Sequence, residues 1–347
     1  MTGSHPVAEL VRLPAALSVP GDVLLGAAAA GWPFGRRTAR LVGASACLYW
    51  AGMAANDWAD REVDAVERPG RPIPSGRVSP SAAAALAGAL TLAGVAIAGM
   101  AGRRRALRVA VPLAATVWAY DLRAKSTVAG PAVMAAARGL DVLLGAGGAA
   151  RALPAVATVA AHTAVVTRLS RTEAAGGDPR AARTALAGTL AVAVLAAAGP
   201  VPAGGRGTAH PAGSPLRRAA RLGHGGGVAR SAAVSALWGV GGLGLGGSEP
   251  GHPGRGVARS AAAVSVLPGA AGLGLAAAYA TVLGRAQLAA ARDPRPATVQ
   301  AAVGAGVLGI VPLEAALLAR AGALLTASGV AALWPLARRL SRRVSPT

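Results

Sequence analysis

Between Asn56 and Pro80 the chain reads NDWADREVDAVERPGRPIPSGRVSP. Three carboxylates, Asp57, Asp60 and Asp64, are spaced i, i+3 and i+7, which on a helix sends all three from nearly one face. Carboxylates held that close repel one another unless a cation lies among them. Mg²⁺ is a hard cation that takes one or two carboxylates and completes its shell with water and substrate phosphates. Arg68 and Arg71 follow directly, and arginine is the side chain that grips phosphate with two parallel hydrogen bonds. An acidic face followed by a cationic grip predicts a magnesium–diphosphate site. A charged loop that only caps and solubilises a helix end is the competing reading, but such a loop needs no fixed spacing. An EF-hand is a poor fit, because it wants carboxylates at alternate positions around a central glycine.

The elements that must position these residues are membrane helices. Of 347 residues, 53% are hydrophobic and 14% charged, against about 25% charged in soluble domains. Several nearly uncharged windows are long enough to cross about 30 Å of hydrocarbon as helices. Lipid leaves only helices or closed barrels, and the alternation of barrel strands is absent. The fold class expected is therefore all-α, a polytopic bundle of nine to ten spans. The net charge of +21 lies in short clusters between apolar runs, the pattern of loops at anionic lipid surfaces, and predicts no nucleic-acid partner. The single cysteine, Cys47, excludes an intramolecular disulfide, and the five histidines have no metal spacing.

The first span is expected at 13–31, interrupted by Pro20-Gly21-Asp22, with Asp22 either facing the interior or marking an interfacial break. The second, 39–55, delivers the acidic segment to the membrane surface. Spans three and four, 81–102 and 106–120, flank the basic patch Arg103–Arg105. The polar link from Tyr120 to Lys125 falls on the acidic side by parity. A fifth span, 128–148, carries Arg138 and Asp141 three residues apart. They are able to pair across one turn, as an ion pair between helices or as a polar wall facing a substrate. The sixth, 152–167, carries His162, read as an interior polar contact, and ends in the loop Arg168–Asp178. That loop holds Arg171, Glu173 and Asp178 on the acidic side.

A seventh span is expected at 184–198. Residues 201–259 read as a flexible Gly/Pro/Arg-rich insertion with an internal duplication, since 227–231 (GVARS) recurs at 256–260. Membrane helices resume over 260–347, so the organisation expected is 1–200, 201–259 and 260–347. Basic residues on the acidic side outnumber those opposite, which predicts a cell-membrane protein with its active-site loops on the cytoplasmic face.

At Asn56–Gly76 the sequence resembles the UbiA superfamily of intramembrane prenyltransferases. Asn56, Asp57, Asp60 and Asp64 match its NDxxDxxxD signature, and Arg68 to Gly76 match RPxRPxPSG. Tyr120 and Lys125 stand for its basic loop after the fourth span. The resemblance covers about residues 9–200. It implies a helical bundle with a lipid-facing cavity, where an isoprenyl diphosphate lies with its head on Mg²⁺. Asp57, Asp60 and Asp64 would hold the metal, with Asn56 supporting. Arg68, Arg71 and Lys125 would neutralise the leaving group, and Tyr120, Arg138 and Arg171 would complete the diphosphate-binding set. Ionisation would give an allylic cation that a nucleophilic acceptor captures.

The chain departs from that pattern after the sixth span. In place of a second DxxxD-type motif stand Ser170-Arg171-Thr172-Glu173 and Gly176-Gly177-Asp178, similar to an EboC-like branch with an SRxE-type loop. Glu173 and Asp178 are the carboxylates left to serve a second metal position. The acceptor is open among aromatic, quinone-precursor, sugar or cyclitol, and lipid head-group chemistries, and 3% aromatic content disfavours a large flat ring. Two other classes compete: a CDP-alcohol phosphotransferase, whose DGxxAR pattern is absent, and a non-catalytic transporter or lipid-binding protein on the same frame.

Overall fold

The computed structural model describes residues 6–12, 19–32, 34–173, 177–198 and 255–341. Every regular element among them is helical. In order these are α1 (Pro6–Leu10), α2 (Val19–Ala29), α3 (Arg36–Ala59), α4 (Arg61–Glu67), α5 (Pro80–Leu122), α6 (Gly130–Gly145) and α7 (Leu153–Ser170). They continue as α8 (Pro179–Ala198), α9 (Arg255–Arg292), α10 (Pro296–Arg320) and α11 (Leu324–Ser341). Residues 1–202 and 266–347 make one compact unit and 203–265 a second. The site and its supports belong to the first unit. The expected insertion at 201–259, with its duplication, lies outside the described residues as far as 254.

Four described helices are long and apolar enough to cross a membrane: Pro80–Leu122, Ala150–Ser170 (α7 with the 3-10 turn before it), Pro179–Ala198 and Pro296–Arg320. α2 is apolar but shorter. α5 is not a single rod. Arg103 has φ 48° and ψ −139°, a left-handed backbone that costs a non-glycine residue energy and breaks the helix. Beyond it the chain doubles back, so that Trp118 Nε1 donates to Thr91 Oγ1 at 3.0 Å across 27 residues. The basic patch is thus the turn of a helical hairpin, and the spans expected at 81–102 and 106–120 are its two arms. Of the first span, residues 13–18 lie outside the described residues, and Pro20 does not break the helix described after them. It sits in the first turn of α2, where a proline's missing N–H costs nothing, and Asp22 is fully buried.

Apolar area does not drive helices together in lipid, so close approach through small residues must do so. α2 and α6 show this most directly. A Cβ on Gly26 would fall 1.9 Å from the Val142 carbonyl oxygen, and one on Gly145 would fall 2.2 Å from that of Val23. The two backbones touch, and no larger residue fits at either position. α3 packs against the α5 hairpin through Leu41, Ala44, Leu48, Ala98, Ala110 and Leu113. α10 is the most enclosed of the four long apolar helices, with Leu313 and Leu318 against Leu25, Val159, Tyr279 and Leu283. His162 is an interior contact as expected, its Nδ1 2.9 Å from the Tyr279 hydroxyl.

Candidate active site

α3 ends at Ala59, and Asp60 stands between α3 and α4 with φ −89° and ψ 3°. Helix-type hydrogen bonds run through the junction, from Asp60 N to Asn56 O and from Asp64 N to Asp60 O. By partner, however, the three carboxylates fall into two sets. Asp57 and Asp64, 4% and 3% exposed, converge on one guanidinium: Arg71 Nη1 lies 3.1 Å from Asp57 Oδ1 and 2.7 Å from Asp64 Oδ2. Arg12 Nη2 adds a second contact to Asp57 at 3.3 Å, and Arg68 reaches Asp64 at 4.0 Å. Asp60 turns elsewhere. It accepts from Asn56 Nδ2 at 2.8 Å and pairs with Lys125 Nζ at 2.5 Å.

Arg71 is held in place by its own loop. Its carbonyl accepts from Ser75 N and, at 2.6 Å, from Ser75 Oγ, while Val78 N donates to Pro72 O. Ile73 is the loop's apolar anchor, buried with Leu10, Ala54, Ala55, Ala83 and Ala87. Gly76, at φ +75°, takes the one conformation there that a Cβ would strain. Arg77 ties the loop to α1, donating to both Glu9 oxygens at 2.6 and 3.0 Å and to Gly70 O at 2.7 Å. That pairing holds the Glu9 carboxyl below its ordinary pKa. Ser79 caps α5, its Oγ accepting from Ala82 N, with Pro80 at the first helical position. Prolines with fixed φ and a capped helix leave the grip little freedom.

The facing wall comes from the end of α5 and the end of α7. Lys125 lies in the 3-10 turn after α5, and Arg171 Nη1 donates to Thr127 O at 2.5 Å and Lys125 O at 3.3 Å. Tyr120 is within electrostatic reach of Asp60 and Arg171. Asp121 belongs here too, although the sequence reading did not single it out. It is 5% exposed, lies within reach of Lys125, Asp60, Arg12 and Asp57, and faces Gly52 of α3. The signal available was an acid four residues before Lys125, one turn apart on a continuing helix. Beside this wall a groove of about 370 Å³ is lined by Val128, Pro131, Ala132, Ala164, Arg168 and Arg171.

The remaining candidates lie apart from this convergence. Asp178 caps α8, its Oδ1 accepting from Arg180 N at 2.8 Å. Glu173 is in the turn after α7, with its carboxyl raised by burial. Among the described residues, no three His, Cys, Asp or Glu side chains stand together as a metal site. Arg138 is deeper, and its partner is not Asp141. It pairs with Asp22 at 3.0 Å and Glu314 at 3.6 Å, while Asp141 accepts from Ser45 Oγ at 2.7 Å.

The surface site therefore sets carboxylates against side-chain cations, the buried Asp57 and Asp64 on Arg71 and the half-buried Asp60 on Lys125. Carboxylates that share one cation are hard-oxygen donors able to take a divalent ion, and the cations so released are free to meet phosphate.

The chain is similar to known proteins over part of its length. A digeranylgeranylglyceryl phosphate synthase of Methanothrix thermoacetophila is 61% identical over 49 residues, 14% of this chain and 18% of that protein. One from Methanopyrus kandleri is 38% identical over 139 residues, 40% of this chain and 49% of that protein. The bacteriochlorophyll synthase 34 kDa chain of Chloroflexus aurantiacus is 41% identical over 97 residues, 27% and 31% of the respective chains. The matches thus span at most about half the length of these curated relatives. Two solved structures share the fold. One, from a study of digeranylgeranylglyceryl phosphate synthase in membranes, has a TM-score of 0.55 at 14% identity, covering 92% of this chain and 98% of that one. The apo structure of a UbiA homolog from Aeropyrum pernix K1 has a TM-score of 0.51 at 18% identity, covering 85% and 96%. Residues 17–205 match the sequence model of the UbiA prenyltransferase family, and the chain belongs to that family.

Proposed function

We propose that this protein is an integral-membrane prenyltransferase that moves an isoprenyl group from its diphosphate to an acceptor. The observation that carries the reading is the convergence of Asp57 and Asp64 on Arg71, with Asp60 on Lys125 beside it. The donor set fits Mg²⁺ in kind, since two buried carboxylates already share one cation. When bound, Mg²⁺ would supply charge neutralisation for a departing diphosphate. Asp57, Asp60 and Asp64 would hold it, with Asn56 orienting Asp60. Arg71 and Lys125, released from the carboxylates, would donate to diphosphate oxygens, with Arg68 and Arg171 at the rim. Their fixed positions favour the charge that develops as the C–O bond breaks. Apolar walls such as Val128, Pro131 and Ala164 would keep water from the allylic cation, and the acceptor would capture it and lose a proton. Glu173 and Asp178 are the candidates for a second metal position. Membership of the family and the relatives' names support this reading, as does the positive-inside count for active-site loops on the cytoplasmic side of the cell membrane.

The test is diphosphate release by detergent-solubilised protein from a panel of isoprenyl diphosphates, with a membrane extract as acceptor source. Release that requires Mg²⁺, stops with EDTA and is lost in Asp60→Ala is the result expected. Folded protein that releases diphosphate from no donor would overturn it and favour a non-catalytic lipid-binding role.

A further inference from the structure

The end of the bundle away from the acidic site is basic and has no acid to balance it. Arg37 stands at the start of α3 and Asp57 near its end, about 30 Å apart at the helical rise of about 1.5 Å per residue. That is the thickness of the hydrocarbon layer, about 30 Å. Arg36, Arg37 and Arg40 lie in the first two turns of α3, Arg103–Arg105 turn the α5 hairpin, and Arg151 lies between α6 and α7. No Asp or Glu occurs within 31–50, 90–115 or 142–160. Among the described residues, no ion pair involves any of these arginines. The first turn of α3 has no acid, and Gly35 before it supplies no side-chain oxygen. The positive end of the helix dipole therefore adds to the arginines instead of being offset.

Three turns close on one of these cations. The Arg37 guanidinium stacks on Trp32, 3.6 Å from the ring centre. A Cβ on Gly102 of the α5 hairpin would fall 3.4 Å from Arg37 Nη2. Gly147, at φ +58° in the turn after α6, brings its backbone closer still, since a Cβ there would fall 2.0 Å from Trp32 and 2.5 Å from Arg37 Nη2. Arg40 Nη1 donates to the Met100 carbonyl at 3.5 Å, which ties the start of α3 to the hairpin. Burial and the charge of Arg105 pull the Arg37 guanidinium below its ordinary pKa, so the two cations stand close enough to repel. Phe34 and Met100, 45% and 64% exposed, are interleaved with the arginines. Exposed apolar side chains beside guanidinium groups at the end of membrane helices suit a lipid head group, with phosphate on the cations and acyl chains on the apolar atoms.

We propose that this end of the bundle holds an anionic phospholipid, its phosphate between Arg37 and Arg105 with Arg36 beside them, and its acyl chains along the α5 hairpin past Met100. Arginine offers the paired N–H donors that phosphate accepts. The test uses full-length protein, delipidated in a neutral detergent, with the unfolding midpoint followed as phosphatidylglycerol, phosphatidylcholine or glycerol phosphate is added. Phosphatidylglycerol should raise the midpoint saturably, and the zwitterionic lipid and the soluble phosphate should not. The apparent affinity should fall at least tenfold in Arg36→Gln/Arg105→Gln. Both side chains are exposed, so the substitution relieves repulsion without disturbing packing. Arg180→Gln/Arg183→Gln removes two exposed cations from the start of α8 and should leave the affinity unchanged. No shift in wild type, an equal shift with phosphatidylcholine or glycerol phosphate, or equal losses in the two variants would each overturn the proposal. Diphosphate release uses none of these arginines, so failure here is distinguishable from failure of the prenyl-transfer reading.

Discussion

The acidic site at the end of α3 and the acidic cluster around Arg138 use the same side chains to opposite ends. At the surface, Asp57 and Asp64 share Arg71, and Asp60 has Lys125. Those cations sit on loops and are 22% and 23% exposed, so a ligand carrying the right charges can exchange with them. In the bundle, Asp22, Asp141 and Glu314 have one guanidinium, which comes from the middle of a helix packed backbone to backbone against α2. That cation cannot leave without stranding the acids. Exchangeable pairing suits catalysis on a charged substrate, whereas fixed pairing suits structure.

The largest effect expected follows from that difference. Arg138→Gln should cost about 3–5 kcal/mol, because it strands buried charge, and thermal unfolding in detergent would show it as a loss of folded yield. Arg71→Gln should cost far less stability while removing most diphosphate release. Equal destabilisation by the two would break the contrast. Next in size, Asp64→Asn should lower diphosphate release by about 10²–10³-fold, the scale of losing one preorganised electrostatic partner, with the unfolding midpoint little changed.

Gly145→Ala should be the packing counterpart, since it drives a methyl into the Val23 backbone. Overpacking of this kind costs about 1–3 kcal/mol, and the loss should appear in the unfolding midpoint. The smallest effect belongs to the exposed pair between α1 and the Arg71 loop. Arg77 holds the Glu9 carboxyl below its ordinary pKa of 4.5. The pair's stabilisation is therefore fully present above pH 4.5 and lost as pH falls through the lowered value. Glu9→Gln should remove that acid dependence from an unfolding titration, and an unchanged titration would mean that the loop is held by Ile73 and its prolines alone.

How much the sequence disclosed follows the range of the interactions. The Asp57–Asp64 spacing, the Arg-Pro grip and the Lys125 connection are local patterns, and the structure brings those side chains together. The sorting of partners was less accessible, because Arg12, Arg71 and Lys125 reach the carboxylates from three separate segments. Helical spacing allows Arg138 to pair with Asp141, a sound local rule that loses to acids brought in by α2 and α10. Those partners are 116 and 176 residues away along the chain, and no periodicity joins them. Glu314 did carry a signal, a lone acid in the apolar run 307–319, where charge is costly. The α5 hairpin was legible as two spans around a basic patch. The positive φ of Arg103 that makes the turn was not, because an arginine carries no local signal for that conformation.

The most direct test of the central claim is binding rather than turnover. A non-reacting isoprenyl thiodiphosphate would be titrated into detergent-solubilised protein by calorimetry, with Mg²⁺ or with EDTA, in wild type and in Asp57→Asn/Asp64→Asn. The account predicts saturable binding in wild type with Mg²⁺ that EDTA and the double substitution each reduce by at least tenfold. Equal affinity in all of these arms would contradict it, because the analogue would then be held without the carboxylates that define the site.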